Sequence, residues 1–361
     1  MKICIVITSL DYGGAESLLV NSLNLLIKNN EIHVVYFKGT GKLIPQLNSA
    51  IKIYHIPYNF SCLFRLRKFL KNLDPEVLHT HVGHADIIGL LAATGLEMKK
   101  FSTIHNIRYT WNYVDYIYYF LYRLTFNIWA RRCIVIGASK VVSNHISTRL
   151  KVKKKNIVVL YNAINDSSLL IDKSEARKII GQKNDNFIFL FLGRNERIKS
   201  IDTLIKATQL TKNKIFNLSV EIIGEGTEQE TLKKLAEELN VNDVITFRGG
   251  VPAKEAYYCS ADVFVLPSVS EAFPTVILES FRAGLPVITT RLETIKEIVS
   301  ENENGLMFEV KDYNELAEKM LEIWEDSARR TRFSINALQT FKEKYHLEVY
   351  INKLTELYQS K

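Results

Sequence analysis

The sequence predicts an α/β protein made of two Rossmann-like domains. In both halves of the 361-residue chain, short apolar runs alternate with segments whose apolar residues recur at helical spacing. This alternation predicts parallel sheets covered by helices on both faces. Residues 162–186 are polar and charged without a strand pattern, and we interpret them as the linker. We therefore assign residues 1–165 to a first domain, 166–345 to a second domain and 346–361 to a closing helix.

The first domain is predicted to begin with a strand, a loop and a helix, followed by further strands. The predicted strands are Lys2–Thr8, Ile32–Phe37, Ile51–Ile56, Val77–His81, Phe101–Ile104 and Ile157–Tyr161, and the predicted helices are Ala15–Ile27, Leu63–Asn72 and Ala85–Gly95. Ligands of such sheets bind beyond the carboxyl ends of the strands. His81 and His105 lie at two of these ends. A lone histidine is more often structural than functional, so position alone assigns neither of them a role.

The second domain repeats the alternation. Its predicted strands include Phe187–Gly193, Leu218–Ile223, Val244–Phe247 and Asp262–Ser268, and its predicted helices include Glu228–Leu239, Tyr313–Trp324 and Ala328–Lys344, before the closing helix Leu347–Tyr358. Glycines follow several of these strands, as at Gly224 and Gly249. They are as compatible with plain turns as with ligand contacts.

Two carboxylates stand out in the stretch Asp262–Thr290. Glu271 lies in the loop after a strand, and Glu279 lies about one turn into the following helix. Eight residues at a rise of ~1.5 Å place them up to about 12 Å apart, too far to share one proton. The helix N-terminus between them, with the N–H groups of Thr275–Ile277, suits a phosphate. This spacing predicts an elongated ligand that contains a diphosphate.

A basic pair follows the first strand of the second domain. Arg194 comes directly after Gly193, and Lys199 comes five residues later. Arginine binds phosphate bidentately and lysine acts as a point charge, so the pair is suited to clamp a diphosphate. Cations held there would stabilise the charge that grows on a departing nucleoside diphosphate. The sequence contains no Asp-x-Asp motif, and we expect neither a metal nor a cofactor.

These motifs resemble those of a known family. Ser270–Pro274, Glu279 and Ala283–Ile288 resemble the Glu-x7-Glu signature of retaining glycosyltransferases, with family four and its GT-B fold as the closest match. Gly193-Arg194 followed by Lys199 resembles the family's Gly-Arg and Lys-Gly elements, although Ser200 replaces the second glycine. The resemblance extends over nearly the whole chain, in order.

The first domain contributes further matches. Gly13-Gly14-Ala15-Glu16 resembles the family's Gly-Gly-x-Glu loop, which meets the donor phosphates and the acceptor. Thr103-Ile104-His105 resembles its Thr-x-His, in which the histidine touches the transferred sugar. Asn106 stands where the family often has Asp, so the partner of His105 stays open. Asn162–Asn165 resembles the junction motif Asn-Gly-Val-Asp, with Ala163 in place of the glycine.

The resemblance implies two Rossmann-like domains facing a central cleft. It implies transfer of a hexosyl group, with retention, from a nucleotide-diphosphate sugar such as a UDP-sugar to a hydroxyl of a saccharide or lipid-linked saccharide. The expected pathway is surface polysaccharide biosynthesis, meaning capsule, O-antigen or lipopolysaccharide. No carboxylate is obviously placed as a covalent nucleophile, so we favour a front-face displacement in which the departing phosphate takes the acceptor proton.

The resemblance also implies roles for individual residues. Glu271 would hold the hexose hydroxyls, and Glu279 would bind the ribose. The expected catalytic residues are Glu271, His105, Arg194 and Lys199, and the expected donor-binding residues are Gly13, Gly14, Arg194, Lys199, Phe273, Pro274, Thr275, Val276 and Glu279.

The charge is divided unevenly along the chain. Residues 1–170 hold 21 lysines and arginines against 9 aspartates and glutamates, whereas residues 171–361 hold 26 against 30. A basic half favours an anionic partner, either nucleic acid or a membrane surface. Residues 108–132 are rich in aromatic residues and end in paired arginines, and Lys151–Lys155 is a second basic cluster. We expect an anionic membrane here, with a buried core helix as the alternative.

The remaining sequence features restrict the class of protein. The sequence contains no run of 18 apolar residues, so it predicts no membrane span. Its four cysteines are far apart, which favours a reducing compartment. We therefore expect a cytoplasmic enzyme that is peripheral on the inner face of the plasma membrane and binds no nucleic acid. Two rivals stay open, a sugar-nucleotide epimerase of the same fold and a basic nucleic-acid-binding protein. A Rossmann oxidoreductase would need a dinucleotide fingerprint that is missing.

Overall fold

The computed structural model describes residues 1–105, 113–166, 171–251 and 254–360. It divides into two compact units. The first consists of Met1–Asn165 together with Leu347–Lys361, and the second is Asp166–His346.

The first unit is built on a seven-stranded parallel sheet. Its strands are β1 (Lys2–Ser9), β2 (Glu31–Lys38), β3 (Lys52–His55), β4 (Val77–His81), β5 (Lys99–Ile104), β6 (Ile134–Gly137) and β7 (Ile157–Val159), in the order β3-β2-β1-β4-β5-β6-β7. Its helices before the second unit are α1 (Gly14–Leu26), α2 (Cys62–Leu73), α3 (His84–Ala92), α4 (Tyr113–Leu124) and α5 (Lys140–Arg149), and a π-helical turn, Thr125–Trp129, continues α4.

The strand order of the first unit reverses between β1 and β4. Ile3–Ile7 of β1 is fully buried because helices cover both faces of a parallel sheet. At the end of β1, the Thr8 hydroxyl donates to the carbonyl of Val82 and accepts from the N–H of Ala85 at 3.3 Å. Val82 has φ of +63°, which is rare for a β-branched residue. The turn after β4 is therefore tied to β1 at the switch point, where ligands of such sheets bind.

The second unit contains a six-stranded sheet whose strands all pair in parallel. Its strands are β8 (Phe187–Leu192), β9 (Leu218–Ile223), β10 (Ile245–Gly249), β11 (Val263–Leu266), β12 (Val287–Thr290) and β13 (Gly305–Phe308), in the order β10-β9-β8-β11-β12-β13. Its helices are α6 (Lys173–Ile180), α7 (Ile201–Thr211), α8 (Gln229–Glu238), α9 (Glu255–Ser260), α10 (Thr275–Arg282), α11 (Tyr313–Glu325) and α12 (Ser327–Thr340). The order reverses between β8 and β11, so the loops after these strands form the switch point.

The predicted linker, residues 162–186, is too long, because α6 lies inside that segment. The carboxylate of Asp172 caps this helix by accepting from the N–H of Ser174 at 2.9 Å. Arg177 is buried, and its guanidinium contacts the carboxylate of Asp262 at 2.9 Å. The buried face of α6 combines Ala176 and Ile180 with this arginine, so a charged residue interrupts the apolar stripe in the sequence.

The closing helix, α13 (Leu347–Gln359), packs on the first unit. Its buried side chains recur at helical spacing and join the core around β1 and α1; they are Leu347, Tyr350, Leu354 and Tyr358. The ammonium group of Lys99 donates to the carbonyls of Tyr358 and Ser360 at 2.9 and 2.8 Å. This lysine thereby satisfies carbonyls at the end of α13 that lack helical partners.

Candidate active site

The loop after β11 in the second unit holds an ion pair. Lys199 Nζ lies 2.6 Å from Glu271 Oε1, and the side chains are 17% and 10% exposed. The Ser268 hydroxyl donates to the same carboxylate oxygen at 2.6 Å. The Thr294 hydroxyl donates to the Glu271 carbonyl at 2.8 Å. Both the side chain and the backbone of Glu271 are thus held in place, and the structure brings together two of the predicted residues.

Backbone contacts position the two loops that carry this pair. Lys199 ends a 3₁₀ turn, Arg197–Lys199, and the N–H of Val269 donates to the carbonyl of Ile198 at 2.9 Å. The loop after β8 is therefore fixed directly to the loop after β11. The pair carries one positive and one negative charge, so an arriving phosphate meets a lysine that already has a partner.

Helix α10 follows this loop and begins at Thr275, with Pro274 as its N-cap. Phe273 is buried and its ring lies 6.1 Å from that of Tyr345. The prediction that three N–H groups face a phosphate is wrong for Ile277, whose N–H donates to the Pro274 carbonyl at 3.1 Å. The N–H groups of Thr275 and Val276 precede the first bonds within the helix and are the ones that suit an anion.

Glu279 is held by two residues that the sequence analysis missed. Its carboxylate accepts from the ammonium of Lys254 at 2.5 Å and from the hydroxyl of Tyr258 at 2.8 Å. Burial, followed by the charge of Glu279, raises the pKa of Tyr258 well above its usual value, so this phenol stays a donor. Lys254 and Tyr258 are four residues apart, as expected for one helical face. That spacing is the sequence signal that could have identified them.

Arg194 differs from Lys199 in its surroundings. Its side chain is 72% exposed and its guanidinium contacts the carboxylate of Glu196 at 2.5 Å. Lys199 is therefore held against the loop after β11 by Glu271, whereas the Arg194 side chain lies in solvent beside Glu196. A diphosphate clamp that uses both would require the arginine to exchange Glu196 for phosphate, and an exposed pair of this kind costs little to break.

Asn195, which lies between Arg194 and Glu196, is fully buried. The sequence did not identify it as a site residue. Its amide donates to the Gly224 carbonyl at 3.0 Å and to the side chain of Gln229. Gly224 has φ of +131°, and a Cβ there would lie 1.8 Å from the Gly193 carbonyl oxygen. The loops after β8 and β9 are thus in contact at a point that only glycine permits.

In the first unit, the glycine pair begins α1. A Cβ on Gly13 would lie 2.1 Å from the carboxylate of Glu16, whereas outside its own stretch of chain no described atom lies within 4 Å of one on Gly14. Burial, and then the charge of Asp11, raises the pKa of Glu16. The space beside Gly13 is therefore occupied by Glu16, and only Gly14 leaves room for a ligand to approach the backbone.

His105 lies at the end of β5 and is buried. Its Nδ1 lies 3.3 Å from the side-chain oxygen of Asn162, which supplies the partner that the sequence left open. Among the described residues, its Nε2 has no hydrogen-bond partner. Burial lowers the pKa of His105 to about 4, so the ring is neutral at pH 7 with Nδ1 as donor and Nε2 as acceptor. Asn106 lies outside the described residues.

Two more histidines stack beneath His105. The ring of His81 lies 5.9 Å from that of His105 and 4.1 Å from that of His79. His79 is hydrogen-bonded through Nδ1 to the Tyr358 hydroxyl at 2.6 Å and through Nε2 to the Thr103 hydroxyl at 2.7 Å. Burial lowers the pKa of His79 to about 3 and that of His81 well below its usual value. A column of neutral rings therefore leads from α13 to His105.

The aromatic segment has one buried face and one exposed face. Tyr122 and Phe126 are buried in the core of the first unit. The opposite face exposes six large apolar side chains, namely Tyr116, Ile117, Phe120, Leu121, Ile128 and Trp129. Arg131, Arg132 and the lysines of the Lys151–Lys155 cluster are exposed close by in the sequence. Residues 108–112 of the segment lie outside the described residues.

Two further findings concern metals and membranes. Within residues 1–105, 113–166, 171–251 and 254–360, no three His, Cys, Asp or Glu side chains are grouped as a metal site would require. Over the same residues, every helix is too short or too polar to cross a membrane.

Family models match both halves of the chain. Glycosyl transferases group 1 matches residues 172–340, and Glycosyltransferase Family 4 matches residues 12–168. These matches confirm the family resemblance that the motifs predicted.

Individual relatives extend the similarity over nearly the full length. The chain is 27% identical over 358 residues to the GalNAc-α-(1→4)-GalNAc-α-(1→3)-diNAcBac-PP-undecaprenol α-1,4-N-acetyl-D-galactosaminyltransferase of Campylobacter jejuni, covering 95% of this chain and 94% of that protein. It is 24% identical over 348 residues to the capsular polysaccharide biosynthesis glycosyltransferase CapM of Staphylococcus aureus, covering 92% and 90%.

A solved structure gives the same result for the fold. The crystal structure of Anabaena HepE in complex with UDP superposes with a TM-score of 0.86 at 18% identity and covers 99% of both chains. The predicted fold class, two parallel-sheet α/β domains of the GT-B type, is confirmed.

Proposed function

The chain belongs to the group 1, family four glycosyltransferases, and from this premise we propose that it transfers a hexosyl group with retention from a UDP-sugar to a saccharide hydroxyl. The protein is a glycosyltransferase; the donor, the stereochemistry and the acceptor are what we propose. The observation that carries the proposal is the partly buried ion pair of Lys199 and Glu271, with Glu279 held by Tyr258 one turn into α10.

The proposed donor site uses charges that the fold has already placed. Lys199 meets the diphosphate, together with Arg194 and the N–H groups of Thr275 and Val276. Glu271 accepts hydrogen bonds from the hexose hydroxyls, and Glu279 accepts them from the ribose. UDP is the nucleotide of choice because HepE, which shares the fold, was solved in complex with it.

The proposed reaction exchanges one bond at the anomeric carbon for another. The bond from this carbon to the β-phosphate oxygen breaks, and a bond to the acceptor oxygen forms on the same face. The departing phosphate takes the acceptor proton, so no protein base is needed. Lys199 stabilises the charge that develops on the leaving group, and preorganised cations do so more effectively than water. We propose that the reaction proceeds without a metal.

A lipid-linked saccharide is the proposed acceptor. The name of the Campylobacter jejuni relative specifies a saccharide on PP-undecaprenol, and that of the Staphylococcus aureus relative specifies capsular polysaccharide. The exposed face of α4 and its π-helical turn combines apolar side chains with nearby arginines and lysines. Such a face suits the headgroup region of an anionic membrane, where a lipid-linked acceptor resides.

Nucleotide binding and turnover test this proposal together. UDP should raise the melting temperature of the protein, because a ligand that binds only the folded state stabilises it. Lys199→Ala should lower turnover by about 100-fold or more, the usual cost of losing a charge contact made in the transition state. Lys206→Ala is the matched control, because Lys206 forms an exposed pair with Asp202 on α7.

Two results would contradict the proposal. If UDP, GDP and ADP all left the melting temperature unchanged, the second unit would not be a nucleotide site. If Lys199→Ala kept normal turnover while its circular dichroism spectrum was unchanged, the diphosphate would be held elsewhere.

A further inference from the structure

A cavity of about 180 Å³ lies inside the first unit, at the carboxyl ends of β4 and β5. Its walls include three tyrosines of α4; the polar lining residues are Asp86, Thr103, His105, Tyr118, Tyr119, Tyr122 and His145. We call this cavity the tyrosine pocket. It is smaller than the ~300–1,000 Å³ sites that hold drug-sized ligands, and therefore suits a single ring.

A chain of hydrogen bonds holds the walls of the tyrosine pocket rigid. The Tyr118 hydroxyl donates to that of Tyr122 at 3.1 Å, and Tyr122 donates to the carboxylate of Asp86 at 2.5 Å. Asp86 is 1% exposed, and the Ser102 hydroxyl donates to its other oxygen at 2.9 Å. On the facing wall, the Tyr119 hydroxyl lies 3.0 Å from Nε2 of His145. Rings held in this way form a preorganised site rather than a flexible gap.

Among the described residues that line the tyrosine pocket, none is a lysine or an arginine. Burial lowers the pKa of His105 to about 4, and burial followed by the charge of Arg149 lowers the pKa of His145, so both rings are neutral at pH 7. Burial raises the pKa of Asp86 to about 6, so the carboxylate still holds a negative charge at pH 7. A phosphate or carboxylate in the pocket would be desolvated beside that charge, and no lysine or arginine among the described lining residues would contact it.

One buried acceptor belongs to a residue that lines this space. His105 lines the tyrosine pocket and is 7% exposed, and its Nε2 has no partner among the described residues. A buried polar atom without a partner costs free energy, which a ligand hydroxyl would recover. Phenol rings offer apolar faces together with polar edges. The lining thus suits a molecule with apolar C–H faces and hydroxyl groups at its rim.

We propose that the tyrosine pocket binds one uncharged sugar ring, the residue of the acceptor saccharide that receives the transferred hexose. The assignment rests on the proposed function, in which the acceptor is a saccharide. It adds a substrate class: the receiving residue carries neither a carboxylate nor a phosphate. Tyr118 forms the wall on which the ring stacks, and Asp86 excludes anions.

Saturation-transfer NMR on the full chain at pH 7.5 tests this assignment. The probes are methyl α-glucoside, methyl α-galactoside, methyl N-acetyl-α-galactosaminide and, as the anionic member, methyl α-glucuronide. At least one neutral glycoside should bind and the glucuronide should not. Tyr118→Ala should raise the dissociation constant of the bound glycoside about fivefold, the loss of one stacking contact. Asp86→Asn should allow glucuronide to bind, which a purely structural role for Asp86 does not predict.

The control is Tyr36→Phe, because Tyr36 lies on β2, on the other side of β1 from the pocket. It should leave all four probes unchanged. The assignment is overturned if no neutral glycoside binds, if glucuronide binds equally well, or if a folded Tyr118→Ala variant binds normally. UDP is tested on the same samples by thermal shift. A protein that responds to UDP but fails the glycoside test loses only this inference, whereas one that ignores UDP loses the proposed function.

Discussion

The candidate sites of the two units differ in charge. In the second unit the side chains are charged and already paired, as with Lys199 and Glu271 at 2.6 Å. In the first unit, burial keeps His79, His81 and His105 neutral, and hydroxyls rather than cations satisfy His79. The second site suits a donor with a diphosphate, and the first suits neutral hydroxyl groups. We infer that the two sites distinguish the donor from the acceptor by charge as well as by shape.

The comparison predicts that the two glutamates of the second unit fail differently. Glu271→Gln should lower turnover at saturating donor by about 10- to 100-fold, because it weakens a charged contact to the reacting sugar and to Lys199. Glu279→Gln should mainly raise the donor KM, because ribose contacts are similar in the ground and transition states. Steady-state kinetics with varied UDP-sugar separates the two effects.

Glu230→Gln is the control for both variants. Glu230 forms an exposed pair with Lys233 on α8, so its replacement should change neither constant. Equal defects in kcat and KM for Glu271→Gln and Glu279→Gln would remove the distinction between a reacting and a spectator carboxylate.

The neutral histidines of the first unit predict a loss of stability in mild acid. A buried histidine with a lowered pKa binds fewer protons than its unfolded form, so stability falls as the pH drops from about 6.5 towards the folded value. At pH 5.5 this costs about 1.4 kcal/mol for each of His79 and His105. Asp86, with its pKa raised to about 6, acts in the opposite sense, since the fold binds its proton more readily. Its gain at pH 5.5 is below the cost of one histidine.

Thermal melting between pH 7.5 and 5.5 measures this balance. The wild-type melting temperature should fall over this range, and His105→Gln should flatten the fall. His55→Gln is the matched control, because His55 is exposed at the end of β3, and it should leave the slope unchanged. If His105→Gln did not alter the slope, burial would not be what keeps His105 neutral.

Sequence patterns predict the framework well because strands buried on both faces read as continuous apolar runs. β1, with the sequence KICIVITS, is an example. The signature residues Glu271, Glu279 and Lys199 are also visible, since loop and helix positions follow directly from those strands. The contacts between them are not. The hydrogen bond between His105 and Asn162 spans 57 residues, and the hydrogen bond from Tyr258 to Glu279 joins α9 to α10 across 21 residues. Neither has a local pattern.

The smallest predicted effect concerns the outer surface of the first unit. The exposed aromatic face of α4 and its π-helical turn lies next in sequence to Arg131 and Arg132, and the Lys151–Lys155 cluster follows. Each basic residue near an anionic surface contributes about 1 kcal/mol, so Lys154→Ala should weaken liposome binding about fivefold. Flotation with neutral and with anionic liposomes, at low and high salt, measures this. Attachment should require anionic lipid and fall with salt, because salt screens surface charge.

The second unit supplies matched controls for that surface. Lys214→Ala removes an exposed lysine, and Phe216→Ala removes an aromatic ring that is 75% exposed. Both should float like the wild type, whereas Phe120→Ala, at a ring that is 60% exposed on α4, should weaken flotation on anionic liposomes. The contrast arises because only the first unit combines apolar side chains with an excess of basic residues. Equal flotation on neutral and anionic lipid, or none on either, would favour an acceptor that is not bound to a membrane.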